Sequence, residues 1–241
     1  VPLKEGSLVY VELTGWVKDT GEVIETTSEE EAKARGIYNA ARKYGPRLVA
    51  LGRGWVIKGL EEALLQSDVG AQGEVEIPPS KAYGERDPSK LKLVPLRRIE
   101  GGEDLRVGQE VEVDGKVAIV RYVGSGRVQL DFNHKYAGKS LVYRYKVVRL
   151  LEGAEEKAKA LFKYLSGGDE EPEVKLEDGV LTVQVPRALL GSSALPFVKQ
   201  AFVNEVQQHV SPLTLVRFVE EFAISAPQPP APSQGPVPSP S

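Results

Sequence analysis

The chain has 241 residues, 41% of them hydrophobic and 27% charged, a globular mixture that excludes a fibrous or wholly disordered protein. Its 31 Lys and Arg stand against 34 Asp and Glu for a net charge of -3, so no global field draws it to nucleic acid or to an anionic membrane. Cysteine is absent, which removes disulfides, thiolate catalysis and cysteine-bound zinc together. No apolar run approaches the roughly 18 residues of a membrane span, and Val1 to Gly6 has no signal-peptide apolar region, so a cytoplasmic protein is expected.

The length suits two or three compact units. Ser7 to Leu13 alternates like a strand and ends at Thr14-Gly15; a second strand, Val23 to Thr27, follows the Asp19-Thr20-Gly21 turn. Ser28 before Glu29, Glu30 and Glu31 reads as the cap and acidic first turn of a short, solvated helix closed by Gly36. Val56, Leu60, Ala63, Leu64 and Ser67 recur at helical spacing, which predicts an amphipathic helix over Val56 to Ser67, stopped near Gly70. Gly73 to Ile77 returns as a strand. After a turn-rich stretch, Pro78 to Gly84, strands are predicted at Glu110 to Val113, Val117 to Val123, Val128 to Phe132 and Leu141 to Leu150, a mainly antiparallel region.

A helix over Gly153 to Leu165, ended by Gly167-Gly168, comes next. It leads into a hairpin, Val174 to Glu177 and Val180 to Val185, joined by Asp178-Gly179. A helix near Phe197 to Val210 and a strand over Leu215 to Ile224 complete a compact α+β unit. Ala226 to Ser241 holds seven prolines and no charge, the composition of an extended tail.

The familiar catalytic constellations are missing. His134 and His209 are the only histidines, which leaves little for a Ser-His-Asp triad or a histidine metal site, and His209 reads as a structural residue of its helix. No G-x-S-x-G elbow occurs, and Leu60 stands after Gly59 where a phosphate loop needs Lys. No cofactor and no metal are expected.

The informative segment is Gly52-Arg53-Gly54-Trp55-Val56-Ile57-Lys58-Gly59-Leu60-Glu61-Glu62-Ala63, followed by Val69-Gly70 and by Ala82-Tyr83-Gly84. It resembles the signature of FKBP-type peptidyl-prolyl cis-trans isomerases, in which a V-I-x-G run opens the central helix and an A-Y-G turn follows the next strand. The stretch Asp131-Phe132-Asn133-His134-Lys135-Tyr136-Ala137-Gly138-Lys139 resembles the D-F-N-H-x-x-A-G-K return of the SlyD-like and archaeal long-type branches, where a chaperone domain is inserted in the flap. The motif uses His134 at a domain junction, and the tail has none of the metal-binding histidines of some SlyD proteins.

The resemblance implies an α+β fold: an FKBP antiparallel sheet around one helix, an inserted β-rich chaperone domain and a C-terminal α+β domain. It divides the chain into 1–84 plus 138–151 for the isomerase, 85–137 for the insert, 152–225 for the C-terminal domain and 226–241 for the tail. It implies that Tyr83 and the Ile57 backbone N–H donate to the substrate carbonyl. Leu13, Ile24, Glu25, Val56, Leu60 and Tyr143 would bind substrate. Most family members have Tyr, Phe, Asp and Trp where this chain has Leu13, Ile24, Glu25 and Leu60, so one hydroxyl and much aromatic surface are lost. Two functions are therefore implied: an isomerase and chaperone acting on X-Pro bonds of unfolded polypeptides, or a holdase with a weak or vestigial isomerase site. The apolar residues Val198, Phe202, Val206, Phe218 and Phe222 suggest a homodimer through the C-terminal domain.

Overall fold

The computed structural model describes residues 1–99 and 104–224, so the reading of Ala226 to Ser241 as a tail lies outside the described residues. Two compact units are present, one over Val1–Lys157 and one from Ala158 onward.

The first unit is organised by a five-stranded antiparallel sheet. Strand β1 (Leu8–Val17) pairs along its whole length with β9 (Leu141–Leu151), while β2 (Val23–Thr26) and β3 (Arg47–Ala50) pair with β1, and β4 (Gln72–Ile77) pairs with β9. Strand β1 does not stop at Thr14-Gly15 as its turn-like sequence suggests. The ring of Tyr143 lies directly against Gly15, and a Cβ there would come within 2.5 Å of it. The glycine admits a ring at the backbone of a continuous strand, a role that composition cannot distinguish from a turn.

Helix α1 (Glu29–Ala34) is capped as expected, the Ser28 hydroxyl accepting from the Glu31 N–H at 3.2 Å. Helix α2 (Lys58–Leu65) begins two residues later than its periodicity predicts. Ile57 is its N-cap, with extended backbone at φ -60 and ψ 148, and its carbonyl receives the N–H groups of Leu60 and Glu61. Leu60 and Leu64 bury one face of α2 in the core built by Val9, Val11, Val49, Ile77, Leu141 and Val147. Gly59 is needed where α2 meets the sheet, because an added Cβ would stand 2.5 Å from the Ile77 side chain.

Between β4 and β9 lies a second antiparallel sheet, ordered β5-β8-β7-β6, from β5 (Leu91–Pro95), β6 (Glu110–Val113), β7 (Lys116–Gly124) and β8 (Arg127–Asp131). Its own small core contains Ile99, Ala118, Val120, Val128 and Leu130. Strand β5 escaped the sequence reading. It is an edge strand, Leu-Lys-Leu-Val-Pro, whose alternation is short and whose Pro95 resembles a breaker. Strand β3, which follows Pro46, was missed in the same way.

The remaining elements are helix α3 (Ala154–Ser166), β10 (Glu173–Glu177), β11 (Val180–Gln184), helix α4 (Leu195–His209) and β12 (Leu215–Val219). Asp178 and Gly179 both take positive φ, as a two-residue hairpin turn requires. Strand β12 adds to β11 in parallel, because the chain crosses back through α4. Phe162, Phe202 and Phe218 form the aromatic centre of the second unit, with Phe162 edge-on to Phe202 at 5.4 Å and Phe202 to Phe218 at 5.9 Å. Strand β12 ends at Val219, short of Ile224, and Phe222 and Ile224 are exposed. Residues Phe202 and Val206 are buried in this unit, and so is His209, beside Glu205. The fold is thus α+β throughout: an antiparallel sheet with one helix against it, a β-rich insert sheet, and a mixed C-terminal part.

Candidate active site

All eight residues singled out in the sequence come together at one place in the first unit, in two depths. Leu13, Leu60 and Tyr143 are buried in the core. Ile24, Val56, Ile57 and Tyr83 pack against that core and remain half-exposed, and Glu25 reaches the Tyr143 hydroxyl. The accessible wall is therefore Ile24, Val56, Ile57 and Tyr83, with Trp55 and Tyr136 beside them.

The polar centre of the site is a chain of charged and hydroxyl groups. Tyr143 donates its hydroxyl to Glu25 Oε1 at 2.6 Å, and Arg47 Nη2 donates to Glu25 Oε2 at 2.6 Å. Burial, reinforced by the Glu25 carboxylate, holds the Tyr143 phenol far above its ordinary range. The Tyr83 phenol is raised as well, first by burial and then by Glu25, and its hydroxyl interacts with that of Tyr143. Both phenols therefore stay protonated at neutral pH and act as donors.

Arg47 is a site residue that the sequence reading missed. Its signal was the apolar run Leu48-Val49-Ala50 after Pro46, but only the pairing of β3 with β1 brings it to Glu25. His134 and Tyr136 were missed too. The His134 ring stacks on Tyr83, with centroids 4.1 Å apart and planes within 9°, and Tyr136 lies 5.8 Å from Tyr83. Lys135 and the Tyr136 hydroxyl both reach Glu22 Oε1 in the β1–β2 turn, at 3.0 and 3.3 Å.

This return from the insert sheet is anchored by a buried carboxylate. Asp131 accepts from Arg86, from Arg121 at 3.0 Å, and from the backbone and side chain of Asn133 at 3.0 and 2.9 Å. Asn133 in turn braces the outgoing segment, accepting from the Asp87 N–H at 2.9 Å and donating to the Asp87 carbonyl at 3.0 Å. Gly138 donates to the Gly84 carbonyl at 2.8 Å, closing the junction.

The comparisons with known proteins cover the same regions of the chain. The model of the FKBP-type peptidyl-prolyl cis-trans isomerase family matches residues 2–106, the FKBP26 IF-domain model 92–136 and the FKBP26 C-terminal model 154–223. A short-type peptidyl-prolyl cis-trans isomerase of Methanocaldococcus jannaschii is 36% identical over 146 residues, covering 60% of this chain and 92% of that protein. The chain belongs to the FKBP-type peptidyl-prolyl cis-trans isomerases. The SlyD isomerase of Helicobacter pylori is 34% identical over 110 residues, 44% of this chain and 60% of SlyD, so the chain spans under two thirds of that relative. The crystal structure of the three FKBP domains of wheat FKBP73 aligns at 20% identity with a TM-score of 0.34, covering 64% of this chain and 42% of that one.

These matches correct the branch suggested by the sequence. The insert and C-terminal region match FKBP26 models, and the archaeal relative is described as short-type, so the SlyD-like, long-type assignment does not stand. The reason is visible at the junction. Asp131, Asn133 and Gly138 attach an insert to the FKBP sheet, and a motif that serves attachment carries no information on the branch attached. The FKBP catalytic domain makes this chain an enzyme of the isomerase class.

Asp131 yields a pH prediction. Burial alone would raise its pKa, but the donors from Asn133, Arg121 and Arg86 outweigh that effect and hold it down, from 3.8 to about 2. The stability this contributes, about 2 kcal/mol, is fully present above the unfolded pKa and is lost as pH falls from about 4 through 2. Urea unfolding of the full chain at stepped pH should show this loss in the wild type and a shallower slope in Asp131→Asn. Identical slopes would remove Asp131 as the titrating anchor.

Proposed function

We propose that the chain catalyses cis-trans isomerisation of X-Pro bonds in unfolded polypeptides and holds those polypeptides as a chaperone, working in the cytoplasm. The observation that supports the proposal is that Tyr83, Ile57, Ile24 and Val56 pack against one core and stay half-exposed there. The Tyr83 hydroxyl and the Ile57 N–H at the start of α2 are the two hydrogen-bond donors, and Ile24, Val56 and Ile57 form the wall. The barrier of roughly 20 kcal/mol comes from amide resonance, which twisting removes along with much of the bond's dipole. An apolar surface favours the twisted amide over the planar one, and the two donors hold the substrate carbonyl while the prolyl side turns. No acid or base is required. Leu13, Leu60 and Tyr143 act from behind, shaping the wall, and Glu25 fixes the Tyr143 ring.

We assign 1–84 with 138–151 to the isomerase, 85–137 to the chaperone insert, 152–225 to the C-terminal domain and 226–241 to the tail. The insert sheet presents Leu93, Val107, Val117 and Tyr122 as exposed apolar residues, which suits contact with unfolded chains. In the C-terminal domain, Phe202 and Val206 serve the domain's own core, so the homodimer contact rests on the exposed Phe197, Leu215 and Phe222.

One set of assays tests the isomerase and chaperone roles together. On a short X-Pro peptide, Tyr83→Phe should lower turnover by tenfold or less, the loss of one hydrogen bond worth about 0.5 to 1.5 kcal/mol, without altering folding. Leu91 and Asp131 are register partners, so Lys92 to Leu130 can be replaced by a two-residue turn that keeps the Arg86 and Asn133 contacts of Asp131 and loses only that of Arg121. That variant should keep peptide turnover within about twofold but refold a proline-limited protein poorly, because the client is no longer held near the site. Unchanged turnover in Tyr83→Phe, Ile57→Ala would remove this site from the mechanism, absence of turnover in the wild type would leave the holdase as the function, and unchanged refolding by the excised variant would refute the insert's role. For assembly, sedimentation of the full chain at tens of micromolar should give a dimer that Phe197→Asp with Phe222→Asp converts to a monomer; a wild-type monomer would end the dimer proposal.

A further inference from the structure

The return from the insert sheet does more than close the junction. His134 lies flat on the Tyr83 ring, 4.1 Å between centroids and 9° from parallel, while Tyr136 contacts both rings at an angle. Tyr83 sits on a turn at the end of the 3-10 segment Pro79–Lys81, outside any strand, and its side chain is half-exposed. The rings of His134 and Tyr136 flank the phenol on this turn, and the plane of the phenol decides where its hydroxyl points.

The His134 ring is itself fixed. Its Nδ1 accepts from the Tyr136 N–H at 3.1 Å, and its carbonyl accepts from the Ala137 N–H at 2.9 Å. Asn133, the preceding residue, is tied to Asp87 and Asp131, and the two following residues are tied to Glu22. The imidazole is thus mounted on a braced turn, with one face on Tyr83 and Nδ1 occupied by its own loop.

Resting on the isomerase reading, we propose that His134 is a positioning residue for Tyr83: its ring, presented by the turn that returns from the insert, locks the Tyr83 ring so that the hydroxyl faces the pocket. The ring face performs this task and the nitrogens do not reach substrate, so an aromatic replacement should serve. The insert then reaches the isomerase pocket through a rigid contact of its attachment segment, independently of any client it holds.

The test is kinetic, with the full chain and a short X-Pro peptide. His134→Ala and His134→Leu should each lower kcat by roughly three- to tenfold, the range for loss of one aromatic pair, with KM within about twofold. His134→Phe should retain at least about half of wild-type kcat, and in a Tyr83→Phe background the effect of His134→Leu should shrink below about twofold, since no hydroxyl remains to aim. Wild-type kcat in both His134→Ala and His134→Leu, alongside a deficient Tyr83→Phe, would overturn the inference and leave the isomerase reading intact. Equal losses in His134→Phe and His134→Leu, or equal losses in both Tyr83 backgrounds, would also overturn it by assigning His134 a general structural role. An inactive wild type would instead remove the isomerase reading itself, and the positioning role with it.

Discussion

The site depends on one partly buried hydrogen bond, from the hydroxyl of Tyr143 to the carboxylate of Glu25. Four strands converge to make it. Strand β9 supplies the phenol, β2 the carboxylate, β3 the Arg47 guanidinium that holds the carboxylate's other oxygen, and β1 the bare backbone of Gly15 on which the ring rests. A phenol this deeply buried must donate its proton to something, since an unsatisfied hydroxyl in the core costs about 1 to 3 kcal/mol. Glu25 meets that need, and Arg47 offsets the cost of placing a carboxylate there. Remove any member and the wall behind Ile24, Val56 and Ile57 loses its shape.

The same bond answers what the sequence leaves as a deficit. Leu13 stands on β1 where the resemblance implies a tyrosine, and so a hydroxyl lost. In the structure a hydroxyl is present on Glu25, delivered from the neighbouring strand by Tyr143, and Leu13 fills the core beside Leu60 instead. Substituting a position does not empty the function of that position when an adjacent strand can reach the same point.

Elements with strong local signals were legible in the sequence. The alternation of β7 and β8, the Ser28 cap and the Asp178-Gly179 turn each encode their geometry within a few residues, and the signature around Ile57 and Tyr83 pointed to residues that pack against one core. What could not be read locally was set by pairing: Arg47 reaches Glu25 only because β3 adds to β1, and His134 reaches Tyr83 only because the chain returns there 51 residues later. Edge strands such as β5 were missed because edges tolerate the Lys and Pro that discourage a strand assignment. The branch was misread because the D-F-N-H return reports how an insert is tied down. In the C-terminal unit the apolar residues that suggested an outer face were divided by the packing, with Phe202 and Val206 taken inward and Phe222 left exposed.

The junction and the pocket are physically continuous. Asp131 and Asn133 anchor the return segment, Lys135 and Tyr136 tie it to the β1–β2 turn through Glu22, and β1 leads directly to Gly15 and the Tyr143 ring. The central claim is that Tyr143 and Glu25 act as a single buried unit, and a double-mutant cycle in urea with Tyr143→Phe, Glu25→Gln and the pair measures it most directly. The account predicts a coupling of about 1 kcal/mol or more between the two changes. Additive effects, with coupling below about 0.3 kcal/mol, would contradict it.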